Sequence, residues 1–129
     1  MILFINTALE REIVALIKNG KIIKQIDFQR KFRKAERLLS LVDQLLKNSS
    51  LRLKELKGIM VVRGPGAGFT SLRVGITIAN TLAYCLNIPI KGIKLNKLNK
   101  RDLFLSRTYR RFSRPVLPFY GREPSITVK

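Results

Sequence analysis

Over the first thirty residues the apolar positions fall in short, dense runs rather than at helical intervals. "ILFIN" (Ile2–Asn6) is apolar at every position but the last, as suits a strand covered on both faces. "EIVALIKNGKIIKQIDF" holds two further apolar runs on either side of Asn19-Gly20. Both residues of that dipeptide accept positive φ, so it predicts a two-residue hairpin turn and three antiparallel strands at the amino end. After Phe32 the spacing changes. Leu38, Leu41, Val42, Leu45 and Leu46 recur three and four residues apart, which predicts a helix over 32–47, with Leu39 widening its apolar face. "SSLRLKELKG" predicts a polar connection with one short turn. "GIMVV" (Gly58–Val62) and "IPIKGI" (Ile88–Ile93) predict two more strands. Between them "TSLRVGITIANTLAYCLNI" is long enough for a second helix, with Thr70 as its N-cap. Its β-branched residues and Gly75 make it a poor helix former alone, so packing must hold it. Ser71, Gly75, Ala79 and Ala83 recur every four residues, a row of small side chains that admits a neighbouring helix, or a core, closely. Cys85, inside the apolar "LAYCLNI", is expected in the core.

The 129 residues suit one domain, and charge is what changes the picture. Lys and Arg number 26 against 8 acids, with no histidine, for a formal +18. Such a field attracts RNA, DNA or an acidic protein surface, although a proteome-wide compositional bias would give the same count. The last 37 residues carry ten of the basic residues and two of the acids, which divides the chain into a domain over 1–93 and a basic segment over 94–129. Lys97, Lys100, Arg101, Arg107, Arg110, Arg111 and Arg114 are candidate phosphate ligands, interleaved with Phe104, Tyr109 and Phe112 as candidate stacking groups. A solvated tail, or one anchored on the domain by those same aromatics, fits the pattern equally well. Pro115, Pro118 and Pro124 make the end of the chain extended. Without histidine, Ser-His and Cys-His nucleophile pairs are impossible within this chain. One cysteine excludes an internal disulfide and any multi-cysteine zinc site. No metal and no cofactor are expected. No apolar run approaches the ~20 residues that span a bilayer, and "MILFI" is too short for a signal-peptide core, so no membrane association and a cytoplasmic location are expected.

"VVRGPGAGFTSLRVG" (Val61–Gly75) joins the fourth strand to the second helix. A Walker A loop needs Gly-Lys-Ser/Thr four residues after its first glycine, but Phe69 follows Gly64 at that distance and Arg73 comes too late. The dinucleotide pattern G-x-G-x-x-G fails as well, because Phe69 stands where the third glycine belongs. Two readings remain. Gly64, Gly66, Gly68, Thr70 and Arg73 can form a generic anion site at a helix start. Three glycines and a proline are equally what a sharp strand-to-helix corner requires, and the corner is the favoured reading.

The stretch "RGPGAGFTSLRVGITIANTLAYCLNIPIKGI" resembles the signature of the TsaB (YeaZ) family, commonly GRGPGSFTGLRVG followed by an alanine-rich helix and a short strand. "ILFINTA" resembles that family's opening strand and turn, "KAERLLSLVDQLL" its first helix, and "PFYGREPSIT" its Tyr-x-Arg-x-Pro close. The resemblance implies an α/β, ribonuclease-H-like domain of the actin-like ATPase (ASKHA) class, a mixed sheet with helices, whose second half is largely missing here. It also implies a non-catalytic scaffold role in making threonylcarbamoyladenosine on tRNA. The partners it implies are a TsaD-like transferase or a second copy, met through the amino-terminal helices, and a TsaE-like ATPase in a larger complex. Glu36, Leu39, Val42, Asp43 and Leu46 on the first helix, with Leu72, Val74, Ile76 and Ala79 on the second, are then the expected partner face. Three departures argue against catalysis. Asn6 replaces the usual acid, Lys34-Ala35-Glu36 replaces His-Ser-Glu, and the loop has gained Ala67 or Gly68 while Ser71 replaces a glycine. Retention of the closing motif fits a deletion after Ile93 better than a lost end. The alternative is a stand-alone basic RNA-binding protein derived from the same fold.

Overall fold

The computed structural model describes residues 1–29, 35–66, 69–97 and 111–120. Three antiparallel strands open the chain: β1 (Ile2–Asn6), β2 (Arg11–Lys18) and β3 (Lys21–Gln29). Asn19 and Gly20 join β2 to β3 with φ of 53° and 76°, the doubly positive turn that Asn-Gly favours. Helix α1 (Ala35–Asn48) leads through a 3-10 turn at Leu53–Glu55 to β4 (Gly58–Gly64). Helix α2 (Phe69–Leu86) then leads to β5 (Ile90–Lys94) and a second 3-10 turn at Leu95–Lys97. The expected start of the first helix at Phe32 lies outside the described residues. Thr70 sits inside the first turn of α2 rather than before it, so it is not the N-cap.

The sheet order is β3-β2-β1-β4-β5, with β4 parallel to both β1 and β5. Because β3 also runs parallel to β1, the two helical connections cross the sheet in the same direction. Right-handed crossovers place both helices on one face. The packing agrees: α1 lies on β2 and β3, α2 lies on β4, β1 and β5, and the helices touch each other. This is the ribonuclease-H-like arrangement.

Register makes the helix-facing side continuous. Leu3 and Ile5 pair with Leu16 and Val14 on β2 and with Ile59 and Val61 on β4, all fully buried. Onto this surface α1 sets Leu38, Leu41 and Leu45, with Val42 and Leu46 seated beside them. Helix α2 sets Leu72, Ile76, Ala79 and Ala83. The four small residues of the α2 row, Ser71, Gly75, Ala79 and Ala83, are all buried. Gly75 faces Thr7 so closely that a Cβ there would overlap Thr7 Oγ1. Cys85 is exposed, contrary to its expected burial. It follows Thr77 and Thr81 at four-residue intervals, and all three share the stripe of α2 turned away from the sheet.

Residues 111–120 are extended and lie beside α2 over β5. Asn80 Nδ2 donates to the Val116 carbonyl at 2.9 Å, and Val116 N–H donates to Asn80 Oδ1 at 2.8 Å. Arg63 Nε donates to the Leu117 carbonyl at 3.1 Å, and Phe119 N–H donates to the Arg63 carbonyl at 2.6 Å. Phe112 meets the Tyr84 ring edge-on at 5.6 Å. In this part of the tail the aromatics anchor the chain on the domain.

Candidate interaction surface and the glycine corner

Gly64 closes β4 with φ +119°, and a Cβ there would overlap the Phe119 carbonyl oxygen. Gly66 packs against Leu72 and Ala8, where an added Cβ would sit at 3.4 and 3.5 Å. Gly68 lies outside the described residues. Thr70 is exposed, and Arg73 Nε donates to the Tyr120 hydroxyl at 2.8 Å. The glycines therefore admit the chain's own backbone, which supports the corner reading. Asn6 serves a turn as well: it is buried, and its Oδ1 accepts the Ala8 N–H at 3.0 Å.

The helix face is narrower than the sequence suggests. One flank of α1 lies beside β3, where the Arg37 guanidinium stacks 3.7 Å from the Phe28 ring centroid and Lys24 Nζ donates to the Asn48 carbonyl at 2.7 Å. The helical period puts Leu39 and Asp43 on the other flank, toward α2. Leu39 is 45% exposed, and Asp43 is exposed with Lys47 Nζ 2.9 Å away. On α2, half-buried Val74 joins Thr70, Arg73, Thr77 and Ile78 around a shallow hollow. Leu72 and Ala79 are fully buried, and Val42, Leu46 and Ile76 nearly so. These five hold the helices on the sheet and do not present side chains outward, a correction to the expected face. The Glu36 side chain lies outside the described residues.

Among the basic candidates, Arg111 and Arg114 are exposed. Lys100, Arg101, Arg107, Arg110 and the Lys97 side chain lie outside the described residues. Two residues that the pattern did not single out, Asn80 and Tyr84, turn out to hold the tail. A polar Asn in an otherwise apolar helical stretch was the available signal for the first.

The family model described as "TsaD: tRNA N6-adenosine threonylcarbamoyltransferase" matches residues 28–99, more than half of the chain. The chain belongs to the TsaD/TsaB family. It is 33% identical over 80 residues to the tRNA threonylcarbamoyladenosine biosynthesis protein TsaB of Bacillus subtilis (strain 168), covering 62% of this chain and 34% of that one. It is 40% identical over 81 residues to the tRNA N6-adenosine threonylcarbamoyltransferase of Wigglesworthia glossinidia brevipalpis, covering 63% and 22%. Among solved structures, YeaZ from Pseudomonas aeruginosa superimposes with a TM-score of 0.65 at 30% identity, over 72% of this chain and 43% of that one. The chain spans 34–43% of the TsaB relatives it matches. The ribonuclease-H-like fold and the TsaB resemblance both stand. No helix among the described residues is long and apolar enough to cross a membrane.

Proposed function

We propose that this TsaB-like chain is a non-catalytic scaffold in threonylcarbamoyladenosine synthesis on tRNA. It pairs with a TsaD-like transferase, or with a second copy of itself, through the outer side of α1 and α2, and a TsaE-like ATPase joins the larger complex. Residues 1–93 supply the pairing domain, and 94–129 the basic segment. The observation that carries this reading is Leu39, a large apolar side chain left 45% exposed on the α2-facing flank of α1. Half-buried Val74 extends the apolar surface on α2. Two features support a role without catalysis. Asn6 stands where the resemblance implies an acid, and its side chain is engaged in a turn. The glycine corner is filled by the Phe119 carbonyl.

The test is size-exclusion chromatography with light scattering, on the chain alone and with the TsaD-like protein of the same organism. A one-to-one complex is expected, abolished in Leu39→Glu while circular dichroism stays unchanged. Val74→Glu serves as a second disruptor. A folded wild-type chain that forms no complex refutes the pairing. Ala79→Glu is unsuitable here, since it would bury a charge in the core.

A further inference from the structure

The surface along the tail side of α2 has an unusual charge balance. Between Glu55 and Glu123 the sequence holds thirteen Lys and Arg and one acid, Asp102. The ion pairs among the described residues, Arg11–Asp27, Asp43–Lys47 and Arg52–Glu55, all fall within residues 11–55. On the tail side two of the cations, Lys94 and Arg73, lie near rings. The Lys94 ammonium sits 4.4 Å from the Phe119 ring centroid, and the Arg73 guanidinium 5.7 Å from that of Tyr120. A ring positions a cation without neutralising it, so the field stays positive. Arg111 and Arg114 are exposed on either side of Phe112 in the chain. Phe112 in turn braces Tyr84, a residue that is 70% exposed.

The geometry points to a binding surface for single-stranded RNA here, with Tyr84 as the stacking platform and Arg111 and Arg114 as phosphate contacts. Cations beside an exposed ring that a second ring braces suit unpaired bases, whose faces can stack while the backbone follows the charge. An acidic peptide would use the charge and leave the ring idle. Arg73 and Tyr84 are eleven residues apart on one side of α2, about 16 Å along the helix, so the surface extends over more than one nucleotide. It occupies the flank of α2 beside the tail, whereas Leu39 lies on the flank of α1 that faces α2. RNA binding and pairing are therefore separable.

The experiment is fluorescence anisotropy with the full chain and a labelled oligouridylate of about fifteen nucleotides, between about 50 and about 200 mM salt. Binding is expected to weaken steeply as salt rises. Tyr84→Ala should weaken it about tenfold, and Tyr84→Phe should bind like wild type. Arg111→Gln with Arg114→Gln should flatten the log–log salt slope by about 0.7 for each phosphate no longer neutralised. Tyr84 is exposed enough for these variants to fold, which circular dichroism checks. No affinity at the lower salt overturns the proposal, as does a Tyr84→Ala chain that binds like wild type. Equal affinity for a duplex of the same length, or preference for anionic vesicles, overturns it too. Leu39→Glu should keep RNA binding and Tyr84→Ala should keep pairing, so either reading can fail alone.

Discussion

Replacing Gly75 with alanine should weaken the fold, even though alanine is the better helix former by about 0.8–1.0 kcal/mol. The added Cβ would overlap Thr7 Oγ1 and stand 2.7 Å from Thr7 Cγ2 and 2.9 Å from Thr7 Cβ. Thr7 is fully buried and β-branched, so rotation offers no escape, and its Cβ moves only with the backbone after β1. Overpacking of this kind costs about 1–3 kcal/mol, and with three atoms of one fixed side chain in the way the upper half of that range applies. The net loss after the helical gain is then about 1–2 kcal/mol. Urea unfolding followed by circular dichroism should show a lower midpoint with an unchanged slope. Thr7→Ala removes Oγ1 and Cγ2, two of the three close atoms. In that background Gly75→Ala should cost less, with a coupling of about 1 kcal/mol. A Gly75→Ala chain as stable as wild type, or a cycle with no coupling, refutes the reasoning.

Asn80→Ala should cost about 1–3 kcal/mol by stranding the Val116 N–H and carbonyl, and trypsin should then cut faster after Arg111. Gly64→Ala should destabilise by more than about 1 kcal/mol, because φ is +119° and the Phe119 carbonyl blocks the Cβ; thermal unfolding reads this. Combining the two should be less than additive, since each unseats the same segment. Cys85 should react with a thiol reagent in the folded protein, and labelling that needs denaturant would contradict its exposure.

The hairpin was legible because Asn19-Gly20 dictates its own backbone. The strands were legible because dense apolar runs suit a sheet with a buried helix-facing side. The outward side of the helices was much less so. Both carry apolar stripes too wide for period alone to separate core from surface, so Leu39 and Leu46 read alike although one is exposed and the other buried. "LAYCLNI" hides its phase in the same way: Ala83 faces the sheet, while Tyr84 and Cys85 face out. The docking of the tail left little trace in the residue pattern beyond the polar Asn80 and the aromatic Phe112. It relies on backbone groups of Val116, Leu117 and Phe119, which every residue type carries, meeting Asn80 and Arg63 far away in the chain.

The tail's seat fixes where the chain departs and where it returns. The 3-10 turn at Leu95–Lys97 follows directly on β5, and the returning segment lays Val116 over Gly92 and Phe119 beside Lys94 on that same strand. Departure and return thus share one edge of the sheet. Extra chain inserted between them moves neither end, and each doubling of the excursion costs only about 0.6 kcal/mol in closure entropy. The fold behaves there as an open socket, able to carry a short excursion or a whole further unit without altering the helices, the sheet or the corner.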